Sequence, residues 1–293
     1  MQRLGLWVIA VCACAMGMEA QARDLKVASF NIEWFGLGGS MSGSSSDETR
    51  DYDLRRFIKR ELGDVDVIVF QEIVDVNRFV DRVIDSDDRW CVTYERNWHP
   101  HQHIVLCGLH DYVFERDQFD DNYQLEDVAI NDTKSRPGLH GVLHTRWGQP
   151  VVRMVGLHLK AYPDESPTRV SQIEVVAEYL ADRADDDLPA IVVGDLNSYK
   201  SPDNEQRYDD IRLFSYAFRD AGLRMRWVPN DGLKTYREGE WSNELDHFYT
   251  TRDVWQTRDL EVIGPCNYAS DSAVRRYNDT ISDHCPIIAE FSL

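Results

Sequence analysis

Short apolar runs with a period of two recur along this chain, and polar side chains gather where those runs stop. Leu25 to Phe30 (LKVASF) alternates and predicts a strand with Asn31 at its end. Val65 to Phe70 (VDVIVF) is β-branched and apolar, which predicts a buried central strand ending at Gln71-Glu72. Trp90 to Tyr94 and Ile104 to Leu109 predict a strand pair; Leu139 to Arg146 and Val151 to Leu157 predict a hairpin around Trp147-Gly148-Gln149, whose second strand runs into His158. Ala190 to Val193 predicts a short buried strand, after which Gly194 turns the backbone and Asp195 and Asn197 follow. Leu245 to Thr250, with Asp246 near its start, Leu260 to Ile263, and Pro286 to Phe291 after Asp283-His284 complete the predicted strands.

Between them the spacing changes to that of helices. Tyr52, Leu54, Phe57, Ile58 and Leu62 recur at helical intervals, as do Val170, Ile173, Val176, Ala177 and Leu180 within Ser166 to Ala184, a helix capped by Ser166 and opened by Pro167. Asn77 to Ile84 and Asn204 to Phe218 are further helix candidates. Gly36 to Asp47, rich in Gly and Ser, predicts a loop that is either a linker or a cover over a site; Phe114 to Asp132 is acidic and unpatterned. No fixed-period repeat is present.

Composition adds compartment and charge. The 293 residues, 43% hydrophobic, are enough for one large domain with a sizeable core. Arg3, the apolar run Leu4 to Ala15 and the small-x-small triplet Ala20-Gln21-Ala22 predict a secretory signal over residues 1–22, a domain over 23–293, and a secreted or periplasmic protein. The rival reading is a lipoprotein anchored at Cys14. Beyond the signal four cysteines remain, Cys91, Cys107, Cys266 and Cys285; in an exported chain they predict two disulfides, and chain order favours Cys91 with Cys107 and Cys266 with Cys285. The net charge of −19 disfavours long-range attraction to a polyanion, which a local basic rim or a bound cation can reverse.

The polar strand-end residues are Asn31, Glu72, His158, Asp195, Asn197, Asp246, Asp283 and His284. Singly, each has an ordinary explanation, since Asp and Asn form turns and a lone His is usually structural. Together they offer oxygen ligands and two imidazoles without a thiolate cluster, which favours a hard cation over zinc. His99, His101 and His103 have zinc-like spacing, though alternate histidines in a loop are commonly solvated. A hard cation, a His paired with a carboxylate and further donors are suited to attack on phosphorus.

The ordered series Asn31, Gln71-Glu72, His158, Gly194-Asp195-Leu196-Asn197, Asp246 and Ser282-Asp283-His284 resembles the endonuclease/exonuclease/phosphatase superfamily over Leu25 to Leu293. Its start, SFNIEWFG, and end, ISDHCPI, are most similar to secreted DNase I-like nucleases. The resemblance implies an α/β (α+β) fold, a four-layer αββα sandwich of DNase I-like type, with the site at the rim shared by the two sheets. It implies Glu72 as the main metal ligand with Asn31 and Asp283 nearby, Asp195 and Asn197 orienting water and phosphate, and Asp246 holding His284 as general base. His158 would face the phosphate as acid or electrostatic partner, and Arg136 would contact phosphate. Two positions depart from the pattern: Val74 stands where an Arg reaching DNA is expected, and the acid expected beside His158 has Gln102 as its nearest counterpart. The resulting expectation is a secreted phosphodiesterase that uses Mg2+ or Mn2+, with Ca2+ a third candidate, and cuts nucleic acid internally, DNA ahead of RNA. The alternative is a phosphatase or phospholipase C-type enzyme on lipid or small-molecule phosphates, for which Trp34-Phe35 and Trp241 are candidate rim residues. A silent binding module on the same scaffold would need none of these acids and histidines together, and no protein partner is implied.

Overall fold

The computed structural model describes residues 24–37, 47–94, 102–116, 123–130, 135–184, 187–198 and 209–293. The signal segment, Cys14, His99, His101, most of the Gly/Ser-rich loop and the start of the helix expected from Asn204 lie outside the described residues.

Two seven-stranded sheets pack face to face. The first runs in the order β14 (Trp255–Gln256), β16 (Ile287–Ser292), β1 (Leu25–Phe35), β2 (Val67–Ile73), β4 (His103–Leu109), β3 (Arg89–Val92), with β15 (Glu261–Val262) also pairing β16. The second runs β10 (Met225–Trp227), β13 (Asp246–Thr251), β9 (Ala190–Asp195), β8 (Pro150–His158), β7 (Gly138–Thr145), β5 (Tyr112–Glu115), with β6 (Gln124–Leu125) on β7. A separate ribbon pairs β11 (Tyr236–Glu238) with β12 (Trp241–Asn243).

Three apolar clusters account for this layering. The inner one, with Val27, Val69, Leu139, Met154, Val193, Phe248 and Ile287, fills the space between the sheets. A second packs Leu54, Phe57 and Ile58 of α1 (Asp47–Glu61) on the outer face of the first sheet. A third packs α3 (Ser166–Ala181) and α4 (Asp210–Asp220) on the outer face of the second. Alternation along each strand sends successive side chains to inner and outer cores, so strands buried on both faces read as continuous apolar runs. The αββα sandwich expected from the resemblance is therefore what forms.

Several elements differ from expectation. Asn77 to Ile84 is not one helix but a turn, α2 (Val76–Arg78), followed by a wider π-type turn over Phe79–Val83. Ser166 does not cap α3: it is the first helical residue, Glu165 occupies the cap, and the Ser166 hydroxyl donates instead to the buried Asp210 carboxylate of α4. The acidic Phe114 to Asp132 stretch contributes β6 and the end of β5. The ribbon, β10 and α5 (Asp271–Asn278) were not visible in the apolar pattern, because these elements are short and mostly half-exposed. Both disulfides occur as expected, Cys91–Cys107 and Cys266–Cys285.

Candidate active site

Parity along the strands places the site. On β1, Val27 belongs to the inner core and Phe30 to the outer one, so Asn31 continues the inner row. The same count sends His158, Asp195 and Asp246 inward from β8, β9 and β13, following Met154, Val193 and Phe248. Register then sets them side by side: β8 and β9 are parallel with His158 opposite Asp195, and β9 and β13 are antiparallel with Asp195 opposite Asp246.

Glu72 reaches the cleft by a different device. Phe70 packs in the outer core, so regular alternation would send Glu72 to the helix layer. Instead Glu72 takes φ +63°, and both β1 and β2 are irregular at this rim, with Glu33 and Trp34 also at positive φ. A non-Gly residue held there stores roughly 1–3 kcal/mol, tolerated when the surroundings fix it. Here they do: the Trp34 N–H donates to Glu72 Oε2 at 3.1 Å and Gln102 Nε2 donates to the same oxygen at 3.0 Å. Asn197 has φ +46° and is pinned from both sides, its N–H donating to Asp195 Oδ1 at 2.9 Å and its amide to the Leu159 carbonyl at 3.1 Å.

One amide joins the two sheets. Asn31 Nδ2 donates to Glu72 Oε1 at 3.2 Å and to Asp195 Oδ2 at 2.9 Å. His158 Nε2 lies 3.6 Å from Glu72 Oε1 and 3.5 Å from Asp195 Oδ2. Across the cleft His284 Nδ1 bonds Asp246 Oδ2 at 2.9 Å, which leaves Nε2 facing Asp195 Oδ2 at 3.8 Å. Ser282 sets the entry to this loop: its hydroxyl donates to the Asn31 carbonyl at 2.7 Å and accepts from the His284 N–H at 3.0 Å. Asp283, beside Ser282 and His284, lies within the electrostatic reach of Glu72 and Asp195, so the strand-end residues singled out in the sequence come together on this rim.

Two expectations need correction. Gln102 does not pair with His158; its Oε1 accepts from Arg136 Nε at 2.6 Å and its Nε2 donates to Glu72, so it joins the Arg to the carboxylate. Because Arg136 can only donate, the amide can face only this way. His158 Nδ1, deep in the protein, has no hydrogen-bond partner among the described residues. Of the candidate rim residues, Phe35 is core, packed on Phe79 at 5.5 Å, whereas Trp241 is exposed; His103, weighed as a zinc ligand or a solvated side chain, is half-buried and hydrogen-bonded to the Tyr94 carbonyl. Tyr236, whose ring meets His284 edge-on at 5.1 Å, is not among the polar strand-end residues; the pattern Tyr-Arg-Glu-Gly-Glu-Trp, two alternating runs about a Gly, is the signal the sequence offers for it.

Burial and crowding of like charges govern the electrostatics. Burial, with Asp246 adding to it, pushes the Asp195 carboxyl up to about 7, although His284 and the Asn31 bond act oppositely. Burial pushes Asp283 up to about 6, reinforced by Glu72, Glu238 and Asp195. Burial alone would lower His284, but Asp246 and Asp195 hold it well above its usual value. His158 is driven well below its usual value by burial, by Arg136 and by His284, and is neutral. The ligand atoms of Glu72, His158 and Asp195 lie within 4.8 Å of one another, as do those of Asp195, Asp246 and His284. This surplus of buried carboxylate, together with the unpartnered Oδ1 of Asp246, fits a hard divalent cation in the cleft.

A match to the Endonuclease/Exonuclease/phosphatase family spans residues 28–284. No curated protein sequence matches the chain. Among solved structures, D. rerio TDP2 complexed with single strand DNA product is 14% identical with a TM-score of 0.64, covering 92% of this chain and 99% of that one. The Bacteroides thetaiotaomicron mannosyl-6-phosphatase is 18% identical with a TM-score of 0.61, covering 92% and 100%. The human Nocturnin catalytic domain is 16% identical with a TM-score of 0.59, covering 92% and 94%. Fold and sequence thus agree that this chain belongs to the endonuclease/exonuclease/phosphatase family of phosphoester hydrolases.

Proposed function

We propose that this protein is an exported, divalent-metal-dependent phosphodiesterase that cleaves nucleic acid internally, DNA ahead of RNA. The observation that carries the reading is the His284–Asp246 pair set against Asp195, with Glu72 and Asn31 completing the cleft. Asp246 fixes the Nδ1–H of His284, so Nε2 is the nitrogen that takes the proton from an attacking water when the ring is neutral; because Asp246 and Asp195 raise His284, that neutral form is favoured by high pH and by a cation that offsets the acids. Asp195 and Asn197 orient that water and the phosphate. Glu72 would hold Mg2+ or Mn2+, with Asn31 and Asp283 beside it and Ca2+ as a third candidate; the ion supplies positive charge against a phosphate oxygen. His158, neutral and buried, serves as a hydrogen-bonding partner of the phosphate rather than as an acid, and Arg136 adds fixed positive charge. The apolar N-terminal run and the two disulfides support export. Among the described residues no helix is long and apolar enough to cross a membrane.

The test is nicking of closed circular plasmid by the purified protein with Mg2+, Mn2+ or EDTA, beside RNA, a lipid phosphodiester and an inositol phosphate. Metal-dependent nicking is the expected result. His284→Ala and Glu72→Ala should each cut turnover by orders of magnitude with little change in thermal unfolding. A second reading, a phosphatase or phospholipase, is favoured by the net charge of −19 and by Val74 in place of a DNA-reaching Arg. Inert nucleic acids alongside a hydrolysed lipid or inositol substrate would establish it.

A further inference from the structure

The strand β11 has a partner on each side. On one side it pairs with β12 through Tyr236 opposite Asn243, Arg237 opposite Ser242 and Glu238 opposite Trp241. On the other, Tyr236 bridges His284 in antiparallel fashion, the Arg237 N–H donates to the Asp283 carbonyl at 2.9 Å, and the Cys285 N–H donates to the Thr235 carbonyl at 2.7 Å. Residues opposite each other in such a ribbon share a face, as do residues two apart along one strand. His284, Tyr236, Glu238 and Trp241 therefore stand on one face. Two contacts bear out the parity: the Tyr236 ring lies against the His284 ring, and the Tyr236 hydroxyl donates to Glu238 Oε2 at 2.9 Å. Since His284 points at Asp246 and Asp195, that face looks into the cleft.

Trp241 is the outermost aromatic on this face and is 72% exposed, so core packing does not explain it. Two strand spacings and one two-residue rise put its Cα roughly 12 Å from that of His284. The ribbon holding it is stiff. Its loop is only Gly239-Glu240, Asn278 Nδ2 donates to the Arg237 carbonyl at 2.8 Å, Arg237 pairs with Asp271 at 2.7 Å, and the Cys266–Cys285 bridge anchors the adjoining strand. An aromatic ring displayed this way costs little ordering entropy when it binds. Glu238 and Glu240 flank it, so this part of the rim repels phosphate and offers only a π-face.

We propose that Trp241 is a stacking platform for an unpaired nucleobase beside the scissile phosphate, which makes single-stranded or locally unpaired nucleic acid the preferred substrate. A base in a duplex has both faces covered by its neighbours, whereas an unstacked base presents one to an aromatic side chain. The inference rests on the nucleic-acid reading above. The test compares cleavage of a short single-stranded DNA with that of an oligomer of equal length carrying abasic sites on either side of the cut. Wild-type protein should favour the base-bearing oligomer by about tenfold in KM, as expected for one stacked base. Trp241→Ala should erase that preference, and Trp241→Phe should retain most of it. Equal preference in wild type and Trp241→Ala, with both oligomers cut, overturns the platform and leaves the nuclease reading standing. Failure of wild type to cut either oligomer while it nicks closed circular plasmid overturns the platform alone, and failure on plasmid as well overturns both.

Discussion

Gln102 shows how much a single side chain can hold in place. It is fully buried, and its amide spans from the Arg136 guanidinium to the Oε2 of Glu72, while the Trp34 N–H takes the remaining share of that oxygen. With Oε2 occupied by two donors, Oε1 is left directed at Asn31 and His158, where the proposed cation would bind. Groups that orient a metal ligand are typically worth about 10–100-fold in metal affinity. Gln102→Met, which keeps the volume and removes both hydrogen bonds, should weaken Mn2+ binding measured by calorimetry by about tenfold. Unchanged Mn2+ affinity in a folded variant would confine Gln102 to packing. The sequence pointed to this position only as a gap in a family pattern. Which partner the amide takes depends on the fold bringing residues 72, 102 and 136 together, and no local pattern encodes that. The strained Glu72 was equally invisible: its chemistry was legible, but the bulge that turns it inward arises from the mismatch between β1 and β2.

Two elements are fastened to the site by buried links. The bridge Cys266–Cys285 adjoins His284 directly, and the Cys266 N–H also donates to Cys285 Sγ. The double variant Cys266→Ser/Cys285→Ser should lose most turnover while the far-ultraviolet circular dichroism persists, and should unfold more readily by about 3 kcal/mol. The corresponding Cys91→Ser/Cys107→Ser variant, altered on β3 and β4 away from His284, should lose stability with turnover intact. Full activity in the first variant would show that the ribbon alone positions His284. At the opposite sheet, Arg169 of α3 is wholly buried and paired with Asp210 of α4 at 2.8 Å, and it donates to the Lys160 and Tyr162 carbonyls just beyond His158. Asp210→Ala leaves that guanidinium buried without its carboxylate and should cost about 3–5 kcal/mol in denaturant unfolding. Long apolar strands and helices of this kind were legible because burial on both sides writes itself into the sequence. The ribbon was not, since its stability comes from partners far away in the chain.

At the scale of the whole molecule, the acids of the cleft make stability depend jointly on pH and metal. Asp195 and Asp283 carry folded-state pKa values of about 7 and about 6, above the ordinary 3.8, so the folded metal-free protein binds more protons than the unfolded chain between those limits. Their contribution to stability is complete below pH 3.8 and is lost as pH rises through 6 and 7. A divalent cation replaces those protons, so the rise in melting temperature on adding Mg2+ to EDTA-treated protein should be larger at pH 7.5 than at pH 5.5. An increment independent of pH would mean that the cation does not bind among these carboxylates. The individual strands were legible from alternation, whereas their stacking into four layers with the polar strand ends on one shared rim was expected from the family resemblance and not from periodicity.

The chain order of the first sheet has a consequence for biosynthesis. The first strand, β1, pairs with β16, the last, and the residue proposed as general base enters at position 284, just before that strand. While a ribosome is still adding the second half of the protein, Asn31 and Glu72 have been made but neither Asp246 nor His284 exists to face them. With His284 as the proposed general base, a nascent chain lacks that base until its final segment emerges, and a product that stops short of residue 284 should be inert and should leave β1 without its β16 partner. On the nuclease reading proposed above, that ordering keeps an unfinished chain from cutting the nucleic acids of the cell that makes it.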